Sequence, residues 1–454
     1  MFTGETIWNE KDGNRRTLHV MIPNYWIDIQ DWFEKNDNKN KIFMTPKGGL
    51  YNSPFDWENG FSSTYTPAKV LFKNPILFFD SEPLTYANRL INSIFKNLNS
   101  ENILDFSKII SLLNVKYILQ QNDLNWEFGS EGTLSPIDMK RILEDQEGFH
   151  KKGSFGKLDL YEIDDDFFIQ KIYIPDKTIY FDGGIGDIEY LAKVSSFDEF
   201  NGESGIIFSE LLNDKEILNK DYISNIFLRP NVQRKKDDTN WKYEIDIPIR
   251  LNYNIYFRNI ESFKKHNVDF INMNIDGKEK KLKIESIRNQ DWIFLDNLAL
   301  DTGSHEIEMS FFDSVGRKKP PIKLDLAIKT NKESFEKPKI NFKEINPTKY
   351  IIQIKKAKHP YFLVLSENFN RNWKLYLNGK PVLEKDHLII NSFANSWLIS
   401  EKGDYNLTIE YLPQRYMNFG VLLSISTIFL SLAYVIYIYI FNLQTKKSSC
   451  EGQG

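Results

Sequence analysis

Six histidines, His19, His150, His266, His305, His359 and His387, are the first candidates for metal or proton chemistry in this sequence. None stands at metal-ligand spacing from another and no HExxH pair occurs, so each reads as a surface or structurally satisfied side chain. Gly202-Glu203-Ser204-Gly205 has the residue types of a nucleophile elbow without its G-x-S-x-G spacing. Gly153-Ser154-Phe155-Gly156-Lys157 is too short for a phosphate loop and continues with Leu158, where such a loop needs Ser or Thr. Gly183-Gly184-Ile185-Gly186 follows a strand pattern, but Glu189 occupies the place of the third glycine of a dinucleotide fingerprint, and a tight turn is the better reading. Asp164-Asp165-Asp166 could supply the paired carboxylates of a glycosidase. Neighbouring like charges in a strand point to opposite faces or into water, so a solvated loop explains the run better. The residues therefore nominate no catalytic side chain, no metal site and no cofactor.

Aromatic side chains are the remaining candidates. Phe, Tyr and Trp make up 14% of the chain, a share that suits large sheet cores and sugar-stacking surfaces alike. Tyr51, Trp57, Tyr65 and Trp126 fall in loop-like segments rich in Gly, Pro and Asn, where a ring could be exposed to a sugar. Tyr51, Trp57 and Trp126 are the foremost carbohydrate-binding candidates. Trp292, Trp373 and Trp397 sit within strand patterns and are expected in the core. The sequon Asn406-Leu407-Thr408 lies inside an expected strand and carries no weight.

Those residues must be positioned by a chain of 454 residues, long enough for about three domains. Its net charge of −4 and its isoelectric point near 6.0 speak against a dedicated nucleic-acid partner. A 41% hydrophobic and 26% charged composition fits folded globular material. The single cysteine, Cys450, leaves no disulfide within the chain. Residues 419–441 run FGVLLSISTIFLSLAYVIYIYIF without a charge and span about 34 Å as a helix, enough for a bilayer core. Lys446 and Lys447 follow at once, whereas Arg415 stands alone before the run among Glu401, Asp404 and Glu410. That bias places the chain in the cell membrane as a single-pass protein, with residues 1–415 extracytoplasmic and 442–454 as a cytoplasmic tail. Residues 1–22 lack an apolar export segment. The expectation is then either a tail-anchored protein facing the cytosol or the C-terminal piece of a longer polytopic protein.

Hydrophobic patterning divides what precedes the span. Residues 15–175 mix helical and strand periods: Pro23 opens a helix to Phe33, Ser135-Pro136-Ile137-Asp138 opens another with a capping-box pattern, and Lys41–Thr45, Val115–Gln120 and Lys157–Ile163 read as strands. From 176 to 330 alternation dominates, as in Ile271, Met273 and Ile275 before an Asp276-Gly277 hairpin signal. Residues 331–344 form a charged linker. Residues 345–412 repeat the strand theme, with Asn378-Gly379 as the hairpin turn. The expected architecture is an α+β domain, then two mainly-β sandwich domains of jelly-roll-like type, then one transmembrane helix.

Three segments carry a resemblance. Ile22-Pro23-Asn24-Tyr25-Trp26 is followed by Asp31-Trp32-Phe33. Leu112 to Leu119 (LLNVKYIL) is followed by Asn122-Asp123-Leu124. Asn370 to Lys380 (NRNWKLYLNGK) leads through Asn391–Trp397 to Tyr411-Leu412-Pro413-Gln414-Arg415 and the apolar helix. In this order they resemble the extracytoplasmic C-terminal part of bacterial and archaeal membrane glycosyltransferases of the GT-C type, the YfhO-like and arabinofuranosyltransferase-like membrane proteins. The resemblance implies a polyprenyl-phosphate sugar donor and a catalytic acid in early loops between N-terminal membrane helices. No catalytic residue of the family maps onto this chain, so the chain alone is expected to be non-catalytic and to position acceptor glycan. Its implied partners are the lipid bilayer and a glycan or polyprenyl-linked sugar. The alternative is a non-enzymatic, membrane-anchored surface protein with carbohydrate- or protein-binding sandwich modules.

Overall fold

The computed structural model describes residues 22–47, 53–57, 61–63, 66–79, 85–98, 106–128, 134–187, 190, 203–212, 217–218, 222–233, 241–258, 265–283, 292–330 and 336–451. Two compact units emerge, one of residues 1–337, 358–369 and 387–402, the other of residues 338–357, 370–386 and 403–454.

The first unit opens with a mixed five-stranded sheet in the order Ile76–Leu77, Lys41–Thr45, Val115–Gln121, Leu158–Ile163, Phe149–Phe155. The first three strands are parallel and the last two antiparallel. Both faces are covered, because successive residues of a strand point to opposite sides. Ile42, Met44, Tyr117 and Leu119 pack with Trp26, Ile29 and Phe33 of helix Asn24–Asn36. Phe43 and Ile118 face the other core, with Ile91 and Phe95 of helix Tyr86–Leu98 and with Ile109 and Ile110 of helix Phe106–Ser111. Pro23 stands at the N-cap position, just before the first helix rather than in its first turn, and makes no side-chain capping bond, whereas Ser135 caps helix Pro136–Glu144 by accepting the Asp138 amide at 3.1 Å.

A β-region follows. A six-stranded sheet runs Ser204–Phe208, Lys177–Asp182, Asn225–Leu228, Asp325–Lys329, Leu251–Arg258, Ile293–Leu300. A five-stranded sheet runs Asn231–Gln233, Trp241–Ile247, Gly303–Phe312, Phe270–Ile275, Lys278–Lys283. Their inner faces share one core: Tyr243, Ile245, Met273, Ile307 and Met309 from the smaller sheet, Tyr253, Ile255 and Phe257 from the larger. The Tyr243 hydroxyl accepts the Leu324 amide at 2.8 Å, pinning the two layers. Asp276-Gly277 makes the expected hairpin turn with φ of 50° and 85°, values that favour a short polar residue followed by glycine. A further four-stranded sheet, His387–Ile390, Ala394–Ile399, Tyr361–Asn368 and Ile172–Tyr173, joins segments nearly two hundred residues apart.

The second unit is an antiparallel sheet in the order Lys339–Asn346, Lys349–Ala357, Gly403–Tyr411, Trp373–Leu377, Lys380–Pro381. Trp373 is a core residue here, 7% exposed, with its ring 5.0 Å from Tyr411 and 6.3 Å from Tyr350. Asn378-Gly379 turns the hairpin at φ of 47° and 84°. Strand Gly403–Tyr411 passes without a linker into helix Leu412–Glu451, with Pro413 in its first turn. Leu412–Ile440 is long and apolar enough to cross a membrane, and none of it is buried. The molecule thus has an N-terminal α/β region, a set of β-sheets and one apolar C-terminal helix.

Candidate functional site

Strand Val115–Gln121 is buried along its whole length, and the chain leaves it at Asn122-Asp123. Asp123 is fully buried, and its Oδ2 accepts three hydrogen bonds: from the Tyr25 hydroxyl at 3.0 Å, Trp26 Nε1 at 2.9 Å and Trp57 Nε1 at 2.8 Å. Tyr25 and Trp26 come from the first turn of helix Asn24–Asn36, and Trp57 from just beyond strand Ser53–Phe55. The backbones lock the same segments together. The Asp56 amide donates to Asp123 O at 2.8 Å and the Asn125 amide to Pro54 O at 2.9 Å. The other carboxyl oxygen, Oδ1, has no hydrogen-bond partner among the described residues. Loss of water raises the Asp123 pKa above the usual carboxylate value, and the donations from Trp57, Trp26 and Tyr25 pull it partly back. The Tyr25 phenol is pushed up in turn, by its own burial and then by Asp123.

The stacking candidates have separate fates around this centre. Trp57 is 7% exposed; its ring stacks on Phe61 at 4.6 Å and tilts against Phe55 and Trp26 at 5.7 and 6.4 Å. Its faces are given to neighbours in the core. Trp126 is 38% exposed on a single turn, Trp126–Phe128, that touches strand Ser53–Phe55. Tyr51 and Tyr65 lie outside the described residues. Asp123 is closed to solvent. Its hydrogen bonds tie the loop that precedes Trp126 to helix Asn24–Asn36 and to the segment after strand Ser53–Phe55. Sequence reasoning passed over Tyr25, Trp26 and Asp123 as a centre. The available signal was an acid two residues beyond an expected buried strand, between Asn122 and Leu124.

A second polar constellation lies on the smaller sheet of the sandwich. Lys242, Glu244, Asp276, Ser304, His305 and Glu306 line an open cleft of about 310 Å³. His305 Nδ1 lies 2.5 Å from Asp276 Oδ2, and its Nε2 lies 2.8 Å from Asp301 O. A carbonyl can only accept, so Nε2 carries a proton; the carboxylate at Nδ1 favours the second. Partial burial opposes the ring's charge, but the Asp276 and Asp301 bonds outweigh it and raise the His305 pKa. Burial likewise opposes the Asp276 charge, and the Glu306 amide and His305 overcome it, lowering the Asp276 pKa. Glu244 and Glu306 stand directly across neighbouring strands, with Lys242 Nζ 2.8 Å from Glu306. No group of three or more His, Cys, Asp or Glu side chains with metal-site geometry occurs among the described residues.

Residues 12–179, which include the Asp123 centre, match the family model described as alpha-(1->3)-arabinofuranosyltransferase, N-terminal GT-C domain. Among solved structures the chain is similar to the arabinofuranosyltransferase AftD from Mycobacteria, determined by single-particle cryo-EM. The identity is 8% and the TM-score 0.44, covering 86% of this chain and 62% of that one. Two classes of a point mutant of the same protein give TM-scores of 0.47 and 0.45, also at 8% identity and 86% of this chain, with 64% and 63% of theirs covered. The chain therefore spans less than two thirds of the length of these solved structures. No curated protein matches. By the family match over residues 12–179, this chain carries a GT-C-type membrane glycosyltransferase-like region.

Proposed function

We propose that this chain is the extracytoplasmic portion of a polytopic, GT-C-type glycosyltransferase-like protein of cell-envelope glycan assembly. In this reading it positions acceptor glycan and does not itself carry the transfer chemistry. The family match over residues 12–179 carries the proposal. The apolar helix supports it: Leu412–Ile440 would tether the sheets at a membrane, and Lys446 and Lys447 would mark the cytoplasmic side. Trp126 is the ring on which a sugar would stack, held out by the loop that Asp123 anchors. The β-sandwich adds an analogy only, since jelly-roll-type sandwiches host carbohydrate sites on many unrelated proteins. One stacking ring contributes a few kcal/mol at most, so binding should fall at roughly micromolar to millimolar strength.

The experiment places the full chain in nanodiscs and presents it with a glycan array and with polyprenyl-phosphate sugars. Retention of a glycan without turnover, weakened about tenfold or more in Trp126→Ala, is the expected result. Turnover of any donor overturns the non-catalytic part. Silence across the array overturns acceptor positioning. For sidedness, a membrane-impermeant thiol reagent applied to intact cells should leave Cys450 unlabelled and modify Trp126→Cys; the reverse pattern overturns the orientation.

A further inference from the structure

The sheet of the second unit ends on its helix with no intervening residue: Tyr411 closes the strand and Leu412 opens the helix. Register fixes what stands beside that junction. Lys349 pairs with Glu410 and Trp373 with Tyr411. The Tyr411 amide donates to Thr348 O and the Leu412 amide to Asn372 O, both at 2.9 Å. Thr348 and Asn372 therefore lie one strand spacing, about 5 Å, from the first helical residues, and strand Lys339–Asn346 lies one strand further out. The polar layer on each side of a bilayer is only about 5–7 Å deep. If Leu412–Ile440 crosses a membrane with its uncharged part from Phe419 in the hydrocarbon core, these segments stand about 10 Å from the core edge, where long side chains reach the headgroups.

Their side chains suit that place. Ile345 is 47% exposed and Pro347 is exposed at the turn. Lys349 is half-buried and Arg371 exposed, and neither side chain has a hydrogen-bond or ion-pair partner among the described residues. The nearby acid Glu410 is already bound by Arg415 at 2.5 Å, which leaves Glu344 as the exposed acid of this end. Tyr350 and Trp373 pack with Tyr411 in the core behind this end of the sheet.

We propose that residues 344–349 and 370–373 form a collar at the lipid headgroup layer, with Lys349 and Arg371 reaching its phosphates. This rests on the reading of Leu412–Ile440 as a span. The long cationic side chains reach the phosphates. A bilayer surface, rather than a soluble anion, is the ligand because the junction delivers the collar to one depth and no other.

The test uses the full chain, Cys450→Ser, in nanodiscs containing an anionic lipid. Spin labels are introduced one at a time at Ile345→Cys, Arg371→Cys, Lys355→Cys and Ile425→Cys. Lys355 is exposed on the same strand as Lys349, about 20 Å away from it along that strand. Relative accessibility to oxygen and to a water-soluble nickel chelate reads depth. The collar labels should report headgroup depth, Lys355 bulk water and Ile425 the bilayer core. Charge reversal by Lys349→Glu with Arg371→Glu should move the Ile345 label toward the bulk-water value. Collar labels in bulk water with Ile425 in the bilayer overturn the collar alone. Ile425 in water overturns the span as well. An Ile345 label unmoved by charge reversal removes Lys349 and Arg371 as the phosphate contacts.

Discussion

The loop around Asp123 and the turn around Asp276 are both tied by a carboxyl group, but by opposite means. Asp123 lies out of reach of water and gathers three uncharged donors on one oxygen. Asp276 lies at a solvent-facing turn and pairs with a protonated imidazole and a backbone amide. Burial raises the pKa of the first, and its partners lower that of the second. Where water is excluded, charge is the expensive property and neutral donors are the economical partners. Where water is near, the ion pair is cheap to form and contributes correspondingly little.

The largest effect should come from removing the buried carboxyl. Asp123→Ala leaves the indole N–H groups of Trp26 and Trp57 without their acceptor and should lower stability by about 3–5 kcal/mol in a denaturant titration. A loss below 1 kcal/mol would break the contrast. Trp57→Phe keeps most of the ring's bulk and removes one donor, so about 1–3 kcal/mol is expected from the same titration. Asp276→Asn should cost only about 0–1 kcal/mol.

The smallest and most diagnostic effect is the pH dependence of the urea midpoint. Asp276 has a lowered pKa, so its contribution is present above its usual value of 3.8 and is lost as pH falls through the folded value. His305 has a raised pKa, so its contribution is complete below 6.5 and fades as pH rises through the folded value. Together they give a plateau between about pH 4 and 6.5, which His305→Gln should flatten on the alkaline side. Asp123 runs the other way. Its raised pKa means stability is lost as pH climbs above 3.8, a slope that Asp123→Asn should abolish. Parallel pH profiles for the Asp123→Asn and Asp276→Asn variants would show that the two carboxyls are not different in kind.

Local features were legible in the sequence because local chemistry decides them. Asp276-Gly277 and Asn378-Gly379 adopt left-handed φ at both positions, which is why those dipeptides signal tight hairpins. Ser135 caps its helix, and Trp292, Trp373 and Trp397 are buried, as their strand settings suggest. Features built from distant segments were not legible. Ile172 and Tyr173 complete a sheet with Leu365 and Val364, and no periodicity near residue 172 marks that pairing. The Asp123 centre draws its donors from 66, 97 and 98 residues away. Trp57 sits in a segment punctuated by Pro54 and Gly60 that reads as an exposed loop, and one buried acceptor is enough to draw its indole inward.

The seamless passage from Tyr411 to Leu412 makes the sheet and the apolar helix a single lever. With no flexible residue between them, rotation of the helix about its axis turns the sheet through the same angle. A helix tilt of about 10° would swing the far end of strand Gly403–Tyr411, about 25 Å away, by about 4 Å. If the helix crosses a bilayer, the bilayer's thickness, through its effect on helix tilt, becomes a variable that this sheet would report as displacement.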